Sequence, residues 1–275
     1  MNQQGPILSA KDIVVDFPVG PGRTLRAVDH VSFELFPGEV VGVVGESGSG
    51  KSTLGRVAAG FLAPTSGRVG YADGSGGVAP RPSKHARGHR DVQMIFQESA
   101  LALSPRLSVW RLVGEALEPN RVTLQSPIGP RIGRRRVAEL KEQVAPQLQR
   151  AGLEPATFLD KRAGELSGGE KQRVAIARAL AASPVAMVCD ESVSALDVSV
   201  RAVVLNLLRR LSRDEGIALL FITHDISVVA HLAHRACVMY QGQVVESGSA
   251  RDIVQAPQAD YTRRLVDAVP TLERV

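Results

Sequence analysis

The sequence is poor in aromatic residues and in cysteine: Phe, Tyr and Trp make up 4% of the 275 residues, and 2 cysteines occur. Cys189 and Cys237 both lie inside apolar, strand-like runs, where a thiol behaves as a small buried hydrophobic group. This pattern excludes a disulfide framework and a metal site built on cysteine.

Long apolar runs are also missing, since none approaches the roughly 18 residues that are needed to span a bilayer. The first residues, Met1–Pro6, show no basic segment followed by an apolar one, as a secretory signal would. We therefore expect the protein to stay in the cytoplasm, or at the cytoplasmic face of the cell membrane if a membrane partner recruits it.

Acidic residues are in the minority: 33 Lys and Arg stand against 28 Asp and Glu, and the pI is about 9.5. Most of the basic residues are arginines spread along the whole chain, which favours a compositional bias over a nucleic-acid surface. The densest cluster, Arg131–Arg136, opens a predicted amphipathic helix whose apolar face consists of Val137, Leu140, Val144 and Leu148. We expect this cluster to be a solvated helix face, and we expect no nucleic-acid partner.

The order of the apolar runs predicts an α/β fold in a single domain that covers residues 1–275. Short apolar stretches within Ile7–Phe36 indicate an N-terminal antiparallel β subdomain. A buried strand at Val40–Val44 precedes a Gly-rich turn and a helix at Ser52–Phe61. Helices and strands alternate again after Gly168, which is typical of a parallel sheet covered by helices.

Two segments interrupt that alternation, and a third ends it. Residues from about 101 to 164 are mainly helical and contain several prolines, which predicts an inserted helical subdomain. The segment Ala72–Arg90 is rich in Gly, Ser, Pro and Arg and predicts a surface loop. Residues from about 257 to 275 are interpreted as a C-terminal tail. No internal repeat is visible, so we expect one such unit and not a tandem pair.

The Gly-rich turn after Val40–Val44 fits the pattern G-x-x-x-x-G-K-[ST] between a strand and a helix. Its glycines let backbone N–H groups wrap around phosphates, and the following helix N-terminus adds positive potential. Lys51 is expected to reach the β- and γ-phosphates of ATP, and Ser52 to hold Mg²⁺. This predicts a phosphate-loop NTPase core. The residues of the predicted loop are Gly45, Glu46, Ser47, Gly48, Ser49, Gly50, Lys51, Ser52 and Thr53.

A second apolar strand, from Val185, ends in two carboxylates, Asp190 and Glu191. In a parallel sheet such strand ends lie beside the phosphate loop. Asp190 is therefore a candidate to hold Mg²⁺ through a bound water, and Glu191 a candidate general base for the attacking water. Two acids after a strand are by themselves usually only a loop start, but the phosphate loop upstream favours the catalytic interpretation.

A further Gly-rich helix start lies at Leu166–Glu170. Ser167 suits a helix N-cap, and Gly168 and Gly169 permit close backbone approach, so the helix start presents donors to a phosphate. Ser167 and Glu170 also fit an ordinary capping box. In combination with the phosphate loop and the two carboxylates, the segment resembles the signature of ATP-binding-cassette ATPases, and the resemblance runs from about Ile7 to Pro270.

The resemblance implies a composite site, in which Ser167, Gly168 and Gly169 of one cassette contact the γ-phosphate that is bound by another. It also implies roles for four other residues. Gln97 senses Mg²⁺ and the attacking water, and His224 contacts the γ-phosphate. Asp197 belongs to a loop that crosses the dimer interface. Phe17 stacks on adenine, although a phenylalanine at that position also suits the core.

Three positions depart from the family pattern. Ser192 and Val193 follow Glu191 where a proline and a threonine are usual, which frees the backbone of the turn that carries Glu191. Glu170 replaces the commoner glutamine of the signature, which is a mild change.

Several segments resemble the oligopeptide, dipeptide and nickel importer branch, among them Val43–Ser47, Gln93–Gln97, Ser194–Ser199 and Tyr261–Leu265. This implies an ATPase coupled to transport, with transmembrane permease subunits, a second cassette subunit in a heterodimer, and an extracytoplasmic substrate-binding protein. No cysteine follows Cys237 in this sequence. We therefore expect this chain to be the cassette subunit of the heterodimer whose tail holds no iron–sulfur cluster. The substrate is chosen by the binding protein and the permease.

The high pI raises one alternative, a soluble cassette ATPase that acts on nucleic acid or the ribosome. Such proteins typically add a long coiled coil, zinc-binding cysteines or a second cassette, and this sequence has none of them. A second alternative, a regulatory module that binds ATP without hydrolysis, is opposed by Lys51, Asp190, Glu191 and His224.

Overall fold

The computed structural model describes residues 5–72, 78–80, 91–97, 103–117 and 133–269. Its strands are β1 (Leu8–Gly20), β2 (Arg23–Leu35), β3 (Val40–Val44), β4 (Ser66–Ala72), β5 (Val78–Pro80), β6 (Val92–Ile95), β7 (Ala186–Asp190), β8 (Ala218–Thr223), β9 (Arg235–Tyr240) and β10 (Gln243–Ser249). Its helices are α1 (Lys51–Ala58), α2 (Val109–Leu117), α3 (Arg134–Arg150), α4 (Pro155–Phe158), α5 (Gly168–Ala181), α6 (Val198–Glu215), α7 (Ile226–Leu232), α8 (Ala250–Gln255) and α9 (Asp260–Asp267).

The chain divides into two compact units. The first comprises Met1–Met94, Val185–Glu191 and Arg209–Val275, and the second comprises Ile95–Pro184 and Ser192–Leu208. The bounds 101–164 of the helical insertion and 257–275 of the tail stay a prediction.

The first unit contains an antiparallel sheet with the strand order β2-β1-β4-β5. Its β1–β2 hairpin closes on the two residues between Gly20 and Arg23. Proline is tolerated inside β1 because β4 pairs with β1 only as far as Val14, so Pro18 lies where β1 has a single neighbour.

The second sheet of this unit has the strand order β10-β9-β3-β8-β7-β6. Strands β9, β3, β8 and β7 are parallel to one another, and β10 is antiparallel to β9. Every residue of β3 and of β8 is buried, as expected of central parallel strands with unbroken apolar sequences. The carboxyl ends of β3, β7 and β8 consequently meet at one edge, where the phosphate loop, Asp190 and His224 lie.

Two apolar clusters hold the first unit together. One joins both sheets and α1, with Leu35, Leu54 and Ile222 among its buried members. The other joins β3 and β9 to α7, α8 and Tyr261 of α9. Burying one such side chain contributes about 1.5–3 kcal/mol. The segment interpreted as a tail therefore contains a helix, α9, that packs against the sheet.

The second unit is built from helices α2 to α5 and the first half of α6. Helix α3 buries Leu140, Val144 and Leu148 on one side, as its sequence periodicity predicted, while Val137 is half-buried. Its exposed Arg135 pairs with Glu139 one turn later, which agrees with a solvated face for this part of the arginine cluster. Arg131 lies outside the described residues.

Two boundaries differ from the sequence-based expectation. Helix α1 ends at Ala58 and not at Phe61, because Gly60 takes a left-handed φ of 73° just beyond the helix. Within the predicted loop Ala72–Arg90, residues 78–80 form β5 and pair with β4, and residues 73–77 and 81–90 lie outside the described ranges. Among the described residues, no helix is both long and apolar enough to cross a membrane.

Candidate nucleotide site

The phosphate loop connects β3 to α1 and is closely surrounded by backbone. A Cβ atom at Gly45 would come within 3.0 Å of the Met239 carbonyl oxygen, and one at Gly50 within 3.0 Å of the Ala27 carbonyl oxygen. Gly50 also has a φ of 99°, which L side chains rarely adopt. No described side chain caps α1, so its first N–H groups remain donors for an anion.

Lys51 is almost fully buried, with 4% of its surface exposed. Its Nζ donates to the carbonyl oxygens of Gly45 at 2.8 Å and of Glu46 at 2.6 Å. Burial lowers the pKa of the Lys51 ammonium below its usual 10.5, while the charges of Glu191, Asp190 and Glu46 act in the opposite direction. The loop thus carries a desolvated cation at its centre.

Ser52 and Asp190 meet across the edge of the sheet, where the Ser52 hydroxyl donates to the Asp190 carboxylate at 2.8 Å. Asp190 is 3% exposed. Burial raises the pKa of Asp190 above its usual 3.8, the Ser52 hydrogen bond lowers it, and the neighbouring Glu191 charge raises it again. A hydroxyl and a desolvated carboxylate at this distance are hard oxygen ligands that fit Mg²⁺, whose positive charge would offset both raising effects.

The described residues contain no group of three or more His, Cys, Asp or Glu that is arranged to hold a metal ion. A Mg²⁺ ion at Ser52 and Asp190 would accordingly complete its shell with waters and phosphate oxygens, as this ion commonly does.

Glu191 follows Asp190 directly and points toward His224, with 3.4 Å between Glu191 Oε1 and His224 Nδ1. The Glu191 side chain is 15% exposed, whereas that of His224 is 56% exposed. The backbone of Glu191 has a φ of 44°, and its N–H donates to the Ile222 carbonyl at 2.9 Å. This hydrogen bond fixes the main chain of Glu191 although Ser192, and not proline, follows it.

Two contacts to the phosphate loop were missed by the sequence analysis. The Gly242 N–H, from the turn between β9 and β10, donates to the Ser49 carbonyl at 3.1 Å. The Glu46 N–H donates to the Tyr261 hydroxyl at 3.0 Å, across 215 positions of sequence. No local pattern marks either contact, since each depends on how distant elements pack.

The signature segment lies in the second unit, at the start of α5. Ser167 caps the helix: its hydroxyl accepts from the Glu170 N–H at 3.3 Å, and the Glu170 carboxylate accepts from the Ser167 N–H at 2.7 Å. These hydrogen bonds lower the pKa of Glu170. The capping box is therefore formed, and the exposed Ser167 and Gly168 stand at the helix N-terminus.

The two signature glycines have different surroundings. A Cβ at Gly168 would meet only Leu196 Cδ2 at 3.9 Å, which is an ordinary contact. A Cβ at Gly169 would come within 3.0 Å of Val200 Cγ1. Gly169 is thus required for the close packing of α5 on α6, whereas Gly168 leaves the helix start open.

Asp197 caps α6, because its carboxylate accepts from the Val200 N–H at 2.9 Å and from the Ser199 hydroxyl at 2.7 Å. The hydrogen bond from Val200 is the main cause of a lowered pKa at Asp197. Asp197 itself is exposed, at the end of the loop from Ser194.

The predicted site residues that remain are Phe17, Gln97, Glu46, Ser47 and Gly48. Phe17 is half-buried in β1, pairs with Leu25 of β2 and packs against the first core cluster, so the structure gives it a packing contact. Gln97 follows β6, is exposed and belongs to the second unit. Glu46, Ser47 and Gly48 form the exposed part of the phosphate loop.

The family of the chain follows from its match to a known protein family. The family described as "ABC transporter" matches residues 28–194, which is more than half of the chain. The chain belongs to the ABC transporter family. The resemblance that was inferred from the phosphate loop, the carboxylate pair and the signature is thereby confirmed.

Relatives with assigned names agree with this family. The chain is 42% identical over 274 residues to the glutathione import ATP-binding protein GsiA of Pectobacterium atrosepticum, covering 98% of this chain and 42% of that protein. It is 39% identical over 272 residues to the oligopeptide transport ATP-binding protein OppF of Escherichia coli, covering 96% and 78%. The chain therefore spans less than half the length of GsiA.

Solved structures confirm the predicted fold class. The ATP-binding cassette MJ0796, a dimer in a post-hydrolysis state bound to ADP and Pi, matches with a TM-score of 0.69 and 28% identity over 89% of this chain and 99% of that one. CbiO1 of Clostridium perfringens, part of the cbiONQ transporter complex, matches with a TM-score of 0.73 and 26% identity over 91% of each.

Proposed function

We propose that the chain is the ATP-hydrolysing motor subunit of a membrane importer. The observation that carries the proposal is the pairing of Ser52 with Asp190 beside Glu191, at the edge of the sheet where the phosphate loop begins. Among the substrate classes inferred from the sequence, peptides or nickel, the relatives support peptides, because their names refer to glutathione, a tripeptide, and to oligopeptides.

The residues that would bind MgATP have distinct roles in hydrolysis. The N–H groups of the phosphate loop and the Lys51 ammonium bind the β- and γ-phosphates of ATP, and Phe17 stacks on the adenine ring. Ser52 and Asp190 would hold Mg²⁺, and Gln97 is assigned as a further ligand on the family resemblance. When bound, this ion neutralises charge on the phosphate oxygens.

The proton transfer is assigned to Glu191. Its carboxylate accepts a proton from the water that attacks the γ-phosphate. His224, 3.4 Å from that carboxylate, orients it and contacts the γ-phosphate. The hydrogen bond from the Glu191 N–H to Ile222 supports this assignment, because a fixed backbone reduces the cost of positioning the base.

We assign Ser167, Gly168, Gly169 and Asp197 to the nucleotide of a second cassette. The exposure of Ser167 and Gly168 at the start of α5 supports this role, because a helix N-terminus attracts an anion such as a γ-phosphate. The dimeric state of MJ0796 with ADP and Pi supports a dimer as the hydrolysing unit.

The partners in the proposal are two transmembrane permease subunits, a second cassette subunit and, through the permease, an extracytoplasmic substrate-binding protein. The chain then works at the cytoplasmic face of the membrane. The import and transport functions in the names of the relatives support these partners, and those names do not favour the alternative of a soluble ATPase on nucleic acid or the ribosome.

The test of the catalytic assignment is Glu191→Gln, which removes the base and keeps the size of the side chain. We expect ATP affinity to change by less than about twofold and phosphate release to fall by about 10²-fold or more, because the contribution of a general base is of this order. Phosphate release is measured on the complex purified through this chain, and ATP affinity by calorimetry.

Glu142→Gln, at an exposed position of α3, is the control and should leave both values unchanged. Turnover of Glu191→Gln at the rate of the parent protein would contradict the assignment of the base.

The heterodimer needs a separate experiment. The complex is purified through a tag on this chain, and its ATPase subunits are identified by mass spectrometry. A second, different cassette subunit is expected. Two copies of this chain with full transport in reconstituted vesicles would contradict the heterodimer and leave the motor function in place.

A further inference from the structure

A hydrogen bond joins the phosphate loop to α9, a helix near the end of the described chain. The Glu46 N–H donates to the Tyr261 hydroxyl at 3.0 Å. Tyr261 is 7% exposed, Glu46 is exposed, and the hydrogen bond between them is partly buried. Without the Tyr261 hydroxyl, the Glu46 N–H loses a fixed acceptor and has to bind water in its place.

The peptide group that Tyr261 binds is the same one that binds Lys51. The peptide between Gly45 and Glu46 donates through its N–H to Tyr261, and its carbonyl oxygen accepts from Lys51 Nζ at 2.8 Å. Hydrogen bonds at the two ends of one peptide polarise each other and fix its plane. Tyr261 and Lys51 therefore hold this peptide group from its two ends.

Tyr261 is itself held in position from two sides. Its ring packs on that of Tyr240, with 4.4 Å between the centroids. The Glu246 carboxylate accepts from the N–H groups of Gln258 at 2.8 Å and of Ala259 at 2.9 Å, which anchors the start of α9 to β10. Burial also raises the pKa of Tyr261 above 10, so that its hydroxyl stays neutral.

We propose that Tyr261 is a positioning residue of the nucleotide site, which acts through the Gly45–Glu46 peptide on Lys51. The inference rests on the proposed function, because it takes Lys51 to be the phosphate-binding cation. It connects the packing of α9 to the strength of phosphate binding. The C-terminal segment that was interpreted as a tail, residues 257–275, thereby contributes to the nucleotide site.

The test compares Tyr261→Phe with Tyr240→Phe in the full chain. Both variants remove one hydroxyl from the same ring pair, but only Tyr261→Phe removes the acceptor of the Glu46 N–H. We expect Tyr261→Phe to weaken binding of MgATP about 5- to 10-fold, corresponding to the loss of one partly buried hydrogen bond, and Tyr240→Phe to change it less than about twofold. Binding is measured by calorimetry, and the thermal midpoint of each nucleotide-free variant is recorded.

A double-mutant cycle with Lys51→Ala separates positioning from general stability. If Tyr261 acts through Lys51, Tyr261→Phe weakens binding little further in the Lys51→Ala background. In the ATPase reaction of the complex, Tyr261→Phe should raise KM more than it lowers kcat. A purely structural role would lower the thermal midpoint and leave the MgATP affinity unchanged.

Equal MgATP affinity of Tyr261→Phe and the parent chain, or additive effects in the cycle, would overturn this inference and leave the proposed function intact. A parent chain that does not bind MgATP at all would refute the proposed function, and this inference with it.

Discussion

Gly169, at the second position of α5, offers a quantitative test of how the signature helix packs. A methyl group there would come within 3.0 Å of Val200 Cγ1 in the first turn of α6. Gly169 is buried, so the new Cβ cannot turn toward solvent, and the valine is stiff because its χ1 has one strongly preferred rotamer in a helix.

Two effects of opposite sign determine the outcome of Gly169→Ala. Overpacking a filled contact costs about 1–3 kcal/mol, and alanine favours the helix over glycine by at most about 1 kcal/mol. Because overpacking dominates, we expect a net destabilisation of about 1–2 kcal/mol. At about 2–4 °C per kcal/mol for a chain of this size, the thermal midpoint should fall by several degrees.

Gly168→Ala is the matched control, since it adds the same methyl group one residue earlier. The nearest atom there is Leu196 Cδ2 at 3.9 Å, so stability should be unchanged or slightly higher. Urea unfolding of the two variants gives the comparison. Shortening Val200 to alanine in the Gly169→Ala background should recover most of the loss.

Equal stability of Gly169→Ala and Gly168→Ala would contradict this prediction. So would a Val200→Ala substitution that adds its own cost to that of Gly169→Ala and recovers none of the lost stability. Equal stability of the two variants would mean that α5 and α6 can separate without penalty, and additive costs would mean that the loss in Gly169→Ala does not come from Val200.

Two further predictions concern the edge of the sheet. Asp190→Asn should raise the thermal midpoint of the nucleotide-free chain at neutral pH, and the gain should shrink as the pH falls toward the usual aspartate pKa of 3.8. The pKa of Asp190 is raised in the folded chain, so ionising this carboxyl costs stability as the pH rises above 3.8. Thermal melts over this pH range would contradict the prediction if the gain in thermal midpoint were constant or reversed. Ser192→Ala should leave stability unchanged or raise it by up to about 1 kcal/mol, because the buried Ser192 hydroxyl has no hydrogen-bond partner among the described residues. A loss of more than about 1 kcal/mol in urea unfolding would show that this hydroxyl is satisfied.

Much of the fold was predictable from the sequence because its elements have strong local patterns. The unbroken apolar run Val40–Val44 predicted a buried strand, and the run from Val185 predicted the strand that carries Asp190. Elements with weak patterns were missed: Val78–Pro80 lies in a Gly- and Pro-rich stretch and becomes β5 only by pairing with β4. Pairing of this kind depends on tertiary contacts more than on intrinsic propensity.

Part of the candidate site was likewise predicted from local sequence patterns. Lys51, Ser52, Asp190 and Glu191 were predicted as neighbours because parallel strands end at one edge of a sheet, and the structure places Ser52 2.8 Å from Asp190. The family membership also followed from short motifs, since each motif needs only a few consecutive residues with particular backbone freedom and charge.

The sequence by itself determined the family and the order of the central strands and helices along the chain, and it predicted the phosphate loop, because local spacing and residue chemistry specify these. Only the tertiary structure decided that Tyr261 binds the loop across 215 positions and that Gly169 is needed for the approach of Val200. Both contacts arise where separate elements pack, and the distances between packed side chains are set by the whole core.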